Sequence, residues 1–270
     1  MGSNDIPPPH ISPYVVPVCN FLLQIGGSLW TICYILLARE SFRTRSYGMP
    51  LFALAFNLAW EIVYALYVVE SVLEQVVFSV WLVIDVGMVY GVLRYGIYEW
   101  EHSPIIKKNL GWILVGLITY CCAGHWAFAK WWIDNEVGKC EGKFYRGIVG
   151  PDTTQLGFWT AALAQANLSA ASLAQLWVRG HSGGVTWSIW AARTLGSIVG
   201  LYMNYAWAWY MWREAHDYFM SPFGIFLWGT GLVCDLIYPF SFAKIKKTEI
   251  VLPDGRKAPA GSDLKEKKHK

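Results

Sequence analysis

The sequence predicts an all-α, polytopic membrane protein, a bundle of seven transmembrane helices. Hydrophobic residues fill 55% of its 270 positions and charged residues only 15%, where a soluble domain carries roughly a quarter. With a mean hydropathy of +0.32, most of the surface faces something other than water. The 16 Trp and 15 Tyr are side chains that settle at membrane–water interfaces. A disordered chain, a nucleic-acid-binding domain and an ordinary cytosolic enzyme are excluded.

A spanning helix takes about 20 mostly apolar residues. Seven stretches qualify: 15–38, 49–69, 76–97, 110–130, 156–178, 185–210 and 222–243. Ahead of the first, Pro7, Pro8, Pro9 and Pro13 mark a short segment, 1–14, without the basic n-region of a cleavable signal. The connections are short except 131–155, which carries Asp134, Glu136, Lys139, Glu141, Lys143, Arg146 and Asp152. Residues 15–243 therefore read as one membrane domain with no internal repeat. Residues 244–270, rich in Lys, read as a disordered tail. Five of the six cysteines lie in apolar runs, where a thiol behaves as a small hydrophobe. Cys140 alone sits in a polar loop, and no CxxC metal pattern or disulfide framework is present.

Lys and Arg set the orientation. Sixteen fall on one side, after the first, third, fifth and seventh spans, and five on the other, with Arg193 inside the sixth. This places the N-terminus in the lumen and the tail in the cytosol. Lys267 and Lys268 stand fourth and third from the end. That resembles the dilysine retrieval signal of endoplasmic-reticulum membrane proteins, and a basic tail drawn to anionic lipid is the plainer reading.

Ionisable groups inside a span cost several kcal/mol and mark function or pairing. Five occur: Glu61, Asp85, His125, Arg193 and Asp235. At about 1.5 Å per residue, Glu61 lies roughly 18 Å from the cytosolic end, Asp85 roughly 16–18 Å, and Arg193 and Asp235 about 12 Å. Those four can share one buried layer, while His125, at about 22 Å, is nearer the lumen. Asp85 with Arg193 reads as an interhelical ion pair as readily as a functional one. His125, after Gly124, reads as a packing histidine before a catalytic one. Asn57 and Tyr64 fall on the Glu61 face of the second span at i−4 and i+3. A carboxyl lined by an amide and a phenol in apolar surroundings is suited to hold a transferable proton. Asp235 is a second such acid, with Tyr238 at i+3. The aromatic run Asn204–Trp212 reads mostly as interface belt. Trp60, Tyr64 and Tyr238 are the better candidates to steady a cationic intermediate. Gly196 and Gly200 read as a close-packing signal.

Several of these segments together resemble the small membrane-bound terpene cyclases of fungal meroterpenoid and paxilline-type indole-diterpene pathways. The segments are "FNLAWEIVYALY" around Asn57–Glu61, "SFRTRSYGMP" (41–50), "YEWEHSP" (98–104), "GHWAFA" (124–129), "ARTLGS" (192–197) and "CDLIY" (234–238). The likeness runs from about residue 15 to 243, with a longer loop at 131–155 and an extended tail as departures. It implies paired essential acids at Glu61 and Asp235. It also implies a hydrophobic, prenylated, epoxidised substrate taken from the bilayer, and no cofactor. A protonated carboxylic acid opens the epoxide (or protonates an olefin), carbocations propagate, and a base removes the last proton. Glu61 is the favoured donor. Asp235 is left as either a second donor-side acid or the terminal base.

No DDxxD run for metal-bound diphosphate and no DxDD motif is present. A proton-coupled transporter would favour inverted repeats and broken helices. A retinal protein would need a lysine in the middle of the last span, whereas Lys244 lies at its end.

Overall fold

The structure, a computed structural model, describes residues 4–261. In chain order the helices are α1 (Val15–Thr44), α2 (Leu51–Val63, continued by a π-helical turn, Tyr64–Val68), α3 (Val72–Glu99), α4 (Pro104–Asp134), α5 (Thr153–Arg179) and α6 (Trp187–Ser197). A second π-helical turn, Ile198–Met203, leads into α7 (Asn204–Met211), and α8 (Arg213–His216) and α9 (Pro222–Thr248) follow. The molecule is an all-α membrane protein. By length and composition five helices can cross a bilayer: α1, α2 with its π turn, α3, α4 and α9.

The other two expected spans are helical but of different character. The middle of α5 carries Thr160, Gln165, Asn167, Ser169 and Ser172, and 14 of its 27 residues are buried. It is an axial helix surrounded by protein, so it can be polar where a lipid-facing helix cannot. The stretch 185–210 is divided by its π turn into α6 and α7, each shorter than a bilayer is thick.

Apolar side chains point outward and charges inward. Val83, Trp112 and Phe240 are more than 70% exposed, whereas Glu61, Asp85, Arg193 and Asp235 are buried. α5 packs along α9, α1 along α6, and α2 along α4. The α1–α6 approach depends on the absence of side chains. A Cβ on Gly26 would strike the backbone of Gly200 and reach the Gly196 carbonyl. At the basic end Gly184, at φ +77°, lets the loop after α5 lie against Tyr47 and Gly48.

Two expected loops are folded. The loop of 131–155 shortens, because α4 runs to Asp134 and α5 starts at Thr153. Between them Phe144–Tyr145 and Ile148–Val149 form a small antiparallel hairpin. Lys143, at its foot, is fully buried. Its Nζ lies 2.9 Å from Asp5 Oδ2, 3.2 Å from Asp152 Oδ2 and 3.3 Å from His216 Nε2, over the Trp212 ring at 4.8 Å. This knot ties the N-terminal segment, the loop and α8 into one lid. Trp212, expected in an interface belt, is buried inside it. The tail expectation is also corrected over 244–261. α9 continues to Thr248, and Ile250–Val251 pairs with Lys257–Ala258. Glu249 accepts from the Ser182 amide at 2.6 Å and pairs with Lys257 at 3.2 Å. Lys267 and Lys268 lie outside the described residues.

The lid's charges make it sensitive to acid. Burial pulls Lys143 down, but the Asp152 and Asp5 carboxylates outweigh it and leave it above the usual lysine value. Burial, then the Lys143 ammonium, hold His216 well below the ordinary histidine value of 6.5. The opened chain therefore binds a proton that the closed lid refuses, and lid stability falls as pH drops through and below that value. Amide exchange across 135–152, corrected for intrinsic rate, should accelerate between about pH 7.5 and about pH 5.5. His216→Asn should remove the acceleration; an unchanged acid response in that variant would place the sensitivity elsewhere.

Candidate active site

Two carboxyl-bearing clusters flank one aromatic cavity. The cavity, about 170 Å³, lies between α1, α2, α3, α5, the α6 C-terminus and α7, with Tyr34, Asn57, Trp60, Trp81, Gln165 and Tyr205 in its wall. Gly26, Gly196 and Gly200 line it too, so the residues that let α1 and α6 approach also shape the space between them. The π turns begin at Tyr64, three residues beyond Glu61, and at Ile198, directly after Ser197. Such turns often accompany functional sites because they re-aim side chains within a helix.

At one end Glu61 is fully buried, and the Tyr34 hydroxyl of α1 donates to its Oε1 at 2.9 Å. Its acidic neighbour is Asp85 of α3, also fully buried. Among the described residues no cation pairs with either group, and Glu61 Oε2 and both Asp85 oxygens find no donor. The Asn57 amide donates to the Tyr34 hydroxyl oxygen.

At the other end Asp235 of α9 is satisfied. Arg193 Nη2 bonds its Oδ1 at 2.7 Å and Gln165 Nε2 its Oδ2 at 3.0 Å. Trp190 Nε1 bonds its backbone carbonyl at 3.1 Å. Gln165 also reaches Ser169 at 2.9 Å, and the Arg193 guanidinium lies over the Tyr238 ring at 5.2 Å.

This geometry decides between the two pairings that depth allowed for Arg193. Arg193 pairs with Asp235, which it can keep ionised, not with Asp85, and Asp85 lies beside Glu61. Neither helix-face neighbour bonds Glu61: Asn57 turns to Tyr34, and the Tyr64 hydroxyl donates to Thr160 Oγ1 at 2.8 Å. Trp60 lies in the cavity wall, stacks on Tyr64 at 5.0 Å and donates to the same Thr160 hydroxyl at 3.0 Å. His125 is away from both clusters. It packs on Phe56 at 4.3 Å and lines a second cavity of about 590 Å³, walled by Phe52, Phe128, Trp132 and Trp159. Trp60 and Thr160 stand between the two spaces.

Sequence reasoning missed Tyr34, Trp81 and Gln165. Gln165 carried a signal, as one of several polar residues, with Asn167, in the middle of an expected span. Tyr34 and Trp81 carried none, because their partners lie on other helices.

A bundle that turns its charges inward onto an aromatic cavity and its apolar faces outward is built to do chemistry on a substrate dissolved in the membrane. The chain belongs to the Pyr4-like transmembrane terpene cyclases, whose family model matches residues 3–248. It is 51% identical to terpene cyclase ascF of Acremonium egyptiacum, over 95% of this chain and 92% of that one. It is 35% identical to the Pyr4-family terpene cyclase mfmH of Annulohypoxylon moriforme, over 87% and 90%. Against terpene cyclase macJ of Penicillium terrestre it is 34% identical, over 88% and 86%. No solved structure matches the chain. The protein is a terpene cyclase.

Proposed function

We propose that this cyclase initiates by protonating the terminal epoxide (or olefin) of a prenylated precursor, with Glu61 as the essential acid. Asp235, held behind Gln165 of the cavity wall, serves as anion and terminal base. The observation that carries this reading is the unequal treatment of the buried acids: Arg193 compensates Asp235, while Glu61 and Asp85 stand together with no cation among the described residues. Two carboxylates about 4 Å apart repel by about 4 kcal/mol even at an effective dielectric near 20. Each buried ion costs several kcal/mol more. Keeping one proton on an ordinary glutamic acid at neutral pH costs about 4 kcal/mol, so the pair that holds one proton is favoured. That end is the acid.

The intervening wall suits a travelling cation. Trp30, Tyr34, Trp60 and Trp81 line the cavity, and an aromatic ring face attracts positive charge by about 0.5–2 kcal/mol. The Asp235 carboxylate, held by Arg193 and Gln165, supplies a fixed negative group for the last cation and a basic oxygen for its proton. Substrate reaches the bundle from the bilayer as a hydrophobic prenylated compound.

Purified Glu61→Gln and Asp235→Asn should each lose about 10²–10⁴-fold in product formation from an epoxidised prenyl substrate while remaining folded. Product would be followed by mass spectrometry. Near wild-type turnover in both variants would contradict an acid-initiated reaction at this cavity. For placement we infer seven spans in an endoplasmic-reticulum membrane, N-terminus lumenal and tail cytosolic, on the 16-to-five basic-residue split. Cys140 should react with an impermeant maleimide only after sealed microsomes are permeabilised; labelling beforehand reverses the orientation. Changing Lys267 and Lys268 to Ser should release the protein from that compartment, and unchanged residence removes the retrieval role.

A further inference from the structure

We propose that the Tyr34 hydroxyl delivers the initiating proton to the substrate, with Glu61 and Asp85 standing behind it as the proton store. The inference rests on the acid-initiated reading above and assigns the step to a group the cavity exposes. Glu61 and Asp85 both have no exposed surface, and neither is in the cavity wall. Tyr34 is in that wall. Its ring is held by edge contacts with Trp30 at 5.6 Å and Trp81 at 5.9 Å. A substrate seated in the cavity therefore meets Tyr34 before it meets either acid.

The hydrogen bonds around Tyr34 form a short proton path. Its oxygen lies 2.9 Å from Glu61 Oε1, and Asp85 is the buried acid next to Glu61. The Asn57 amide donates to the same phenolic oxygen. An N–H directed at that oxygen stabilises the negative charge that builds on it as its proton departs. Asn57 is therefore a positioning residue that acts through Tyr34. This also explains why the Asn57 amide turns away from Glu61, its neighbour on the same helix face.

The step balances as follows. The Tyr34 O–H bond breaks and an O–H bond forms on the epoxide oxygen as its C–O bond opens to a carbocation. For this the Tyr34 hydroxyl first turns from Glu61 Oε1 to the epoxide and Glu61 donates to the phenolic oxygen. The carboxylic proton of Glu61 then passes to that oxygen, which restores the Tyr34-to-Glu61 hydrogen bond of the resting structure. Tyr34 ends neutral and Glu61 ends as a carboxylate. The final carbocation loses its proton on the Gln165 side of the cavity, to Asp235 Oδ2 once the Gln165 amide swings off that oxygen. The proton passes on to water, and Glu61 is recharged from water before the next turnover.

The test compares Tyr34→Phe, Glu61→Gln and a variant with 3,5-difluorotyrosine at position 34, assayed as purified full-length protein on an epoxidised prenyl substrate. Tyr34→Phe should lower kcat by about 10²–10⁴-fold with KM and thermal melting close to wild type. Difluorotyrosine keeps the ring and its hydrogen bonds but makes the phenol more acidic, so it should change kcat several-fold at constant KM. If Tyr34→Phe cyclises at near wild-type rate while Glu61→Gln is inactive, Glu61 protonates directly. The relay then falls and the acid-initiated reading stands. If Glu61→Gln is itself fully active, both fall together. Should Tyr34→Phe not fold, the difluorotyrosine protein decides, and an unchanged kcat there overturns the relay.

Discussion

Arg193 can neutralise one of the three carboxyl groups Glu61, Asp85 and Asp235 buried in mid-helix, and it is bonded to Asp235. The other two, Glu61 and Asp85, are left facing each other with no cation among the described residues. On the proposed mechanism that allocation separates an acid, Glu61, from a compensated anion, Asp235. Had Arg193 paired with Asp85, as depth along the helices allows, Asp235 would be the uncompensated acid and the direction of the chemistry would reverse. Breaking a buried pair by removing one partner costs about 3–5 kcal/mol, so the Arg193–Asp235 bond also fixes the relation of α6 to α9.

The scaffold exists to make this arrangement affordable in a bilayer. Apolar side chains occupy the outer surfaces of α1, α3, α4 and α9, and the polar residues are drawn inward onto α5 and its neighbours. Gly26, Gly196 and Gly200 bring α1 against α6 and at the same time leave the space that becomes cavity. Leu23 and Tyr205 line both that cavity and a smaller gap beneath the Lys143 knot, where Asp5, Thr154 and His216 meet. The lid thus sits over the aromatic chamber, and carbocations confined below it are kept from water.

Much of the class was legible in the sequence. Long apolar runs, few charges and abundant Trp announce helices in a membrane, and the buried Glu61, Asp85, Arg193 and Asp235 stand out because burial of charge is costly wherever it occurs. Which of them pair was not legible, since depth ranks residues along a helix but says nothing of rotation about it. Asn57 and Tyr64 share a face with Glu61, yet their bonds go to Tyr34 and Thr160 on other helices. Helix-face logic reads only local neighbours, and every decisive bond here crosses between helices. The loop at 131–155 misled for a related reason. Its charges looked solvated, but Lys143 is buried against two carboxylates that lie nine and 138 residues away in sequence.

Infrared difference spectroscopy in light and heavy water tests the charge allocation directly, because a protonated carboxyl shows a carbonyl stretch above the amide band that a carboxylate lacks. The account predicts one such buried, exchange-shifted band in the resting enzyme, altered by Glu61→Gln and by Asp85→Asn and untouched by Asp235→Asn. A resting enzyme with no protonated-carboxyl band, or with one that vanishes only in Asp235→Asn, would contradict it.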